Sequence, residues 1–190
     1  MRAGLLVKRS MYETIATNDI KVYGEIAFSK INTCSFTARP NEHAKLFIEG
    51  YVQEDDAVRL EQMQMSGTYC EIRDGASATV IFSGIYRAVS VHHVNGLITV
   101  KAEIVSATQM LDHEKKSRSF QDAEATYGQI VNEVLSDCPG AVALLCKEAD
   151  TPIGKPLIQY RETDWMFIKR LAGMLGISLV SDYRTFVPMF

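Results

Sequence analysis

The chain has 190 residues, 47% of them hydrophobic and 23% charged, with a formal net charge of -3 and a pI near 5.8. That length can bury one large core or two small ones, and the mild acidity argues against a nucleic-acid groove, because phosphate binding wants a basic surface. No stretch approaches the roughly 18 apolar residues of a membrane span, and Met1 to Val7 is too short an apolar patch for a secretory leader.

From about Ile20 to Ile104 the sequence reads as strands. Ile20 and Val22, Ile26 and Phe28, then Cys34, Phe36 and Ala38 recur at alternate positions, the spacing of half-buried strands. Lys45 to Val52 continues the pattern, while Asp55 to Met65 fits a helical turn or a loop equally well. Thr68 to Arg73 is a short strand ended by Asp74-Gly75, and Ser77 to Val91 is a long one with an expected bulge at Ser83-Gly84. Asn95-Gly96 sits between two alternating runs and supplies the two positive φ values of a type I′ turn, which predicts a long-armed hairpin. Half a dozen strands with no long helix between them point to an antiparallel barrel or sandwich over residues 1–108.

A charged connector without apolar period, about Gln109 to Asp122, precedes a change of period. Its basic run, Lys115-Lys116-Ser117-Arg118, reads as a solvated turn. Thr126-x-x-Gln129 has the form of a capping box, and Tyr127, Ile130, Val131, Val134 and Leu135 make the apolar face of a helix stopped by Pro139-Gly140. Ala141 to Lys147 is short and apolar enough for a strand, and Thr151-Pro152 and Lys155-Pro156 break a loop. Thr163 caps a second helix that buries Trp165, Ile168, Leu171, Ala172 and Leu175 and ends at Gly176. Ile177–Val180 and Thr185–Val187 are two further expected strands. Residues 109–190 therefore form a small α+β domain with two helices, packed closely against the first.

Chemistry is sparse. His92 and His93 are strand neighbours, so they point to opposite faces, and no His-x-His, Cys-x-x-Cys or H-E-x-x-H spacing offers a metal site. Cys34, Cys70, Cys138 and Cys146 are expected as buried free thiols in a reducing compartment. Asp112, Glu114 and Asp122 are the only carboxylates worth weighing as a glycosidase pair, and they lie where solvated side chains are expected. No phosphate-binding glycine loop or nucleophile elbow is present. No catalytic, cofactor-binding or metal-binding residue is assigned.

Two stretches carry a resemblance. Gln159-Tyr160-x-Glu162-Thr163-Asp164-Trp165-x-Phe167-x-x-Arg170-Leu171-Ala172 resembles the signature helix of the phage late control protein D family, which includes Mu-like tail hubs and the hub part of type VI secretion spikes. Leu111-Asp112, Ser117 to Gln121 and Thr126-Tyr127 resemble the start of that family's α+β domain, and Ile81 to Ile85 and Ile31 to Phe36 its barrel strands. The resemblance implies a barrel, an α+β domain and a second barrel that is missing here, with three chains forming a ring between tail tube and spike. It implies a structural protein of a phage tail or contractile injection machine, made in the bacterial cytoplasm, with no cofactor. Gln159, Tyr160, Glu162, Thr163, Asp164, Trp165, Phe167 and Arg170 are then the structural signature, of which Trp165, Phe167 and Arg170 are expected to pack the α+β domain, and the hairpin at Asn95 and Gly96 is the expected subunit contact. The competing readings are a cell-wall-degrading tail enzyme and a carbohydrate-binding module using Tyr51, Tyr69 and Tyr86.

Overall fold

The computed structural model describes residues 20–62 and 67–190. Six strands form one antiparallel sheet: β1 (Ile20–Gly24), β2 (Lys30–Thr37), β3 (Lys45–Tyr51), β4 (Tyr69–Asp74), β5 (Val80–Val94) and β6 (Leu97–Ser106). Their order is β1-β4-β5-β6-β3-β2, so β1 and β2 are the two edges of a curled half-barrel. The alternation seen in the sequence does the curling. Leu46, Ile48, Ile72, Phe82, Tyr86, Val100 and Ile104 all point inward and are fully buried.

A short helix, α1 (Glu54–Gln62), follows β3 and makes the first part of the ambiguous stretch helical, the remainder of Asp55 to Met65 lying outside the described residues. Ala57 and Leu60 are its buried face, and Glu54, Asp55 and Asp56 lie in its first turn, where the helix dipole favours negative charge. Asp74 closes β4 by accepting from the Ala76 and Ser77 amides at 2.9 and 2.7 Å, so β5 starts at Val80 and not at Ser77.

The bulges of β5 are not at Ser83-Gly84. Ser83 and Gly84 pair in register with Glu71 and Cys70, and the register slips instead at Ile72/Arg73 and at Tyr86/Ala88. Gly84 has a different task. A Cβ there would sit 2.1 Å from the Val105 carbonyl oxygen, so the glycine lets β5 and β6 approach.

The expected connector is largely structured. Ala107–Asp112 is a 3-10 turn, and β7 (Lys115–Phe120) pairs antiparallel with β8 (Leu157–Thr163) in a separate two-stranded sheet. The helices α2 (Tyr127–Leu135) and α3 (Asp164–Met174) pack beside it. Both caps form as read: Gln129 N–H donates to the Thr126 hydroxyl while the Gln129 side chain accepts from the Thr126 amide, and Thr163 accepts from Met166 N–H. At the other end of α3, Gly176 has φ +70°, and the Ile177 and Gly176 amides donate to Ala172 and Gly173, a Schellman closure. Phe120 and Phe167 stack in this second core at 5.5 Å between ring centroids.

Three expected strands are absent among the described residues. Ala141 to Lys147 runs as an extended segment held by Val142 and Leu144 amides that donate to Pro188 and Phe190, and Ile177–Val180 and Thr185–Val187 are irregular. The reason lies in where their bonds go. Residues 178–183 are a strap across the half-barrel: Leu179 accepts from the Asn41 amide at 2.8 Å, Tyr183 accepts from the Ser83 amide at 2.7 Å, and the Tyr183 ring lies 5.3 Å from Phe36 and 5.9 Å from Phe82. Cys70 is buried and Cys34 and Cys138 half-buried, but Cys146 is exposed, against expectation, because its segment lies on the surface.

Candidate functional site

The signature residues gather around one buried carboxylate. β8 runs straight into α3, so Gln159, at the strand's centre, faces Asp164, in the helix's first turn. Gln159 is fully buried, and its Nε2 donates to Asp164 Oδ1 at 2.9 Å and to the Glu162 carbonyl at 3.0 Å. From β7, Lys116 donates to Asp164 Oδ2 at 2.9 Å and Arg118 to Oδ1 at 2.6 Å, and Arg118 also reaches Gln159 Oε1 at 2.5 Å. Asp137, at the rim after α2, takes a second bond from Lys116 at 3.1 Å and one from Arg118.

The basic run expected as a solvated turn is therefore an inward-facing pair. Lys116, Arg118 and Phe120 alternate along β7, which puts all three on the face covering the second core. Burial alone would push the Asp164 carboxyl up; bonds from Arg118, Gln159 and Lys116 outweigh it and hold the group below the usual carboxylate range. Arg118 and Lys116 likewise keep the Asp137 carboxyl low.

A second cluster joins the two halves. His43, between β2 and β3, lies 4.4 Å from the Trp165 ring. Its Nε2 is 3.0 Å from Asp112 Oδ2, and its Nδ1 is 2.9 Å from Thr108 Oγ1. Burial lowers the His43 pKa against the opposing pull of Asp112. The ring is thus neutral at pH 7: a carboxylate only accepts, so Nε2 carries the hydrogen and Nδ1 accepts from Thr108. Thr163 donates to the other Asp112 oxygen, and Ser106 and Ser181 hydroxyls lie 2.8 and 3.0 Å from Thr108 Oγ1. Asp112 is accordingly no solvated carboxylate. It ties the half-barrel to the N-terminus of α3.

The remaining signature residues are placed as follows. Phe167 is fully buried, Trp165 is buried against His43 and edge-on to Phe190, and Arg170 makes a two-armed bond to Glu162 at 3.1 and 2.7 Å with its guanidinium over Phe167. Tyr160 alone points outward and is 71% exposed. Asn95 and Gly96 have φ 51° and 76° and form the expected turn. The hairpin overhangs the sheet, because β3 stops pairing at Tyr51–Thr99 while β5 and β6 continue through His93–Ile98 and Val94–Leu97. Leu97, at its tip, is 56% exposed.

His43 escaped sequence reading, since nothing local distinguishes a loop histidine whose partners lie over sixty residues away. Lys116 and Arg118 did carry a signal, their period-two spacing with Phe120. Asp112, Glu114 and Asp122 do not assemble as an acid–base pair: Asp112 is engaged with His43 and Thr163, and Asp122 accepts from the Glu124 amide. Nor do the tyrosines share a concave surface. Tyr86 is in the core, Tyr69 packs 3.9 Å from Phe186, and Tyr51 sits on β3. Among the described residues no cluster of three or more histidine, cysteine or acidic side chains is arranged to hold a metal, and no helix is long and apolar enough to cross a membrane. Two concavities stand out: a cleft of mixed lining, about 830 Å³, between the halves, bordered by Asp112, Lys116 and Asp164 and by Val105 and Met110, and an apolar groove of about 270 Å³ between α2, α3 and residues 143–146.

The sequence profile of the phage tail baseplate hub (GPD) family matches residues 44–184, most of both halves. The chain belongs to that family. Solved structures agree in fold. The 43 kDa tail protein of prophage MuSo2 from Shewanella oneidensis superposes with a TM-score of 0.67 at 15% identity, covering 90% of this chain and 52% of that one. The tail protein from Neisseria meningitidis MC58 gives 0.61 at 14% identity, with 88% and 52% covered. The Escherichia coli c3393 protein, described as a type VI secretion component with structural similarity to T4 bacteriophage tail proteins, gives 0.58 at 14% identity, with 84% and 48% covered. This hub-family chain thus spans about half the length of those solved chains. No curated protein sequence matches it.

Proposed function

We propose that this chain is a structural component of a phage-tail or tail-like baseplate that joins the tail tube to the central spike, acting by assembly and not by turnover. The observation that carries this reading, beyond family membership, is the hairpin overhang. The projection is anchored at its base by Ile98, which packs on the first core, but its tip carries Leu97 out into solvent, and edges of this kind pair or pack with neighbours. Asp112 supports the same reading: of the carboxylates that sequence alone would offer to catalysis, it is the one bound up in holding the two halves together. In this account the protein is made in the bacterial cytoplasm, takes a place in the tail, and works as a homotrimer against tube and spike proteins, with no nucleic-acid or cofactor requirement.

The test is co-purification with co-expressed tail-tube and spike proteins, using the wild type and a variant in which residues 93–98 are shortened to a tight turn. The reading expects intact particles or subcomplexes with the wild type and loss of incorporation with the shortened hairpin, at unchanged secondary structure. Full incorporation of the shortened protein would remove the hairpin from the mechanism, and failure of the wild type to enter any tail complex would overturn the hub role.

A further inference from the structure

One surface is not used by anything described so far. The two-stranded sheet of β7 and β8 covers the second core with one face and leaves the other bare. Ile158 and Tyr160 stand on that bare face, 59% and 71% exposed, and Met166 at the start of α3 is 51% exposed. Ser117 and Ser119 lie across from them on β7, with Lys115 and Arg161 also exposed.

The backbone is bent to present this face. Lys116 pairs with Glu162 and Arg118 with Gln159, so Tyr160 and Arg161 together oppose Ser117 alone, a bulge in β8. Arg161 has φ +50°, a left-handed conformation costing a non-glycine residue about 1 kcal/mol or more. The Arg161 amide is held there by the Ser117 hydroxyl at 3.2 Å. The buried Gln159 and the half-buried Glu162 flank the bulge and fix it, and the outcome is a large aromatic side chain held out in water beside a cation.

We infer that this β8 face is a docking surface for a second copy of the chain, which it meets through the acidic outer face of α1. The choice of occupant rests on complementarity between two patches of the same molecule. α1 exposes Glu54, Asp55 and Glu61 around Val58, which is 48% exposed, and its cation, Arg59, is paired with Glu25 and Asp56, so the rim around the apolar centre is acidic on balance. The β8 face has the opposite character, an apolar centre of Ile158 and Tyr160 with Lys115 and Arg161 around it. Opposite potentials on facing patches steer association and fix its register. The α1 patch is also continuous with the hairpin already assigned to assembly, through His93 Nε2 and Glu61 Oε1 at 3.1 Å. A contact between two different patches is head-to-tail, the type that builds a ring when its rotation closes. The inference rests on the assembly reading above and names its contact.

The experiment is the mass of the full chain by light scattering and sedimentation over a rising concentration series. Tyr160→Ala and Arg161→Glu should each weaken self-association by at least about tenfold without moving the melting temperature, as expected for an anchor residue and its charged rim. Asp55→Lys should weaken it as well, and combining Asp55→Lys with Arg161→Glu should recover association to within about threefold of the wild type, which only a direct contact predicts. Unchanged association in Arg161→Glu, or no recovery in the charge swap, overturns the contact. Association lost on shortening the hairpin but indifferent to these substitutions overturns this contact while leaving the hub reading standing. A wild type that is monomeric at its solubility limit overturns the self-contact, and the co-purification described above then decides the hub reading by itself.

Discussion

Replacing Asp164 by asparagine keeps the size of the side chain and removes the charge on which Lys116, Arg118 and Gln159 converge. Breaking a fully buried pair by removing one partner costs about 3–5 kcal/mol. Here the two cations retain Asp137, and their side chains are 24% and 18% exposed, so water relieves part of the loss. About 2 kcal/mol is the reasonable remainder, with up to about 1 kcal/mol more for the lost anion in the first turn of α3. A total of about 3 kcal/mol lowers the melting temperature of a chain of this size by about 6–12 °C. The assay is thermal and urea unfolding of Asp164→Asn beside Asp137→Asn. The rim carboxylate is half exposed, and its loss should be far smaller. The pH dependence gives a second check. Asp164 has a lowered folded pKa, so its contribution is present above the ordinary carboxylate value of about 4 and is lost as pH falls through the lower folded value. The gap between wild type and variant should therefore close in acid. A loss below about 1 kcal/mol, or equal losses for the two variants, would refute the view that Asp164 organises this half.

Two further outcomes follow from the geometry. His43→Ala removes a hydrogen bond to a carboxylate and a ring contact, and should cost about 2–4 kcal/mol; because the folded pKa of His43 is lowered, its contribution is full above about pH 6.5 and is lost as pH falls through the folded value, so wild-type stability should decline in mild acid where the variant's does not, read from melting curves in a pH series. Gly84→Ala places a methyl group against the Val105 carbonyl and should cost at least about 2 kcal/mol, whereas Gly173→Ala, in α3 with open space around it, should gain about 0.5 kcal/mol, both measured by urea unfolding.

The half-barrel strands, α2 and α3 with their caps, and the hairpin turn were readable because each is specified locally. Alternation gives Leu46 and Ile48 one face, Thr126 and Gln129 cap each other within a single turn, and Asn95-Gly96 carries its φ values in its own residue types. The failures have a common cause in distant partners. Residues 177–180 and 185–187 look strand-like because they are largely apolar, but Leu179 exchanges its bonds with the single residue Asn41 and neither stretch builds a ladder. The β7 charges look solvated because their counter-charges sit at Asp137 and Asp164. His43 has no local signature at all, and its role exists only once α3 is docked on the half-barrel.

The strap of residues 178–183 has a consequence for the timing of synthesis. The half-barrel leaves the ribosome first, yet the ring that covers Phe36 and Phe82 belongs to Tyr183, which follows α3 in the chain. Until that residue emerges, the nascent half-barrel presents two uncovered aromatic side chains and open sheet edges, the surfaces most prone to premature association. Completion of the first core is thereby deferred until the segment after α3 has been made, when α3 and its histidine contact can form in the same step.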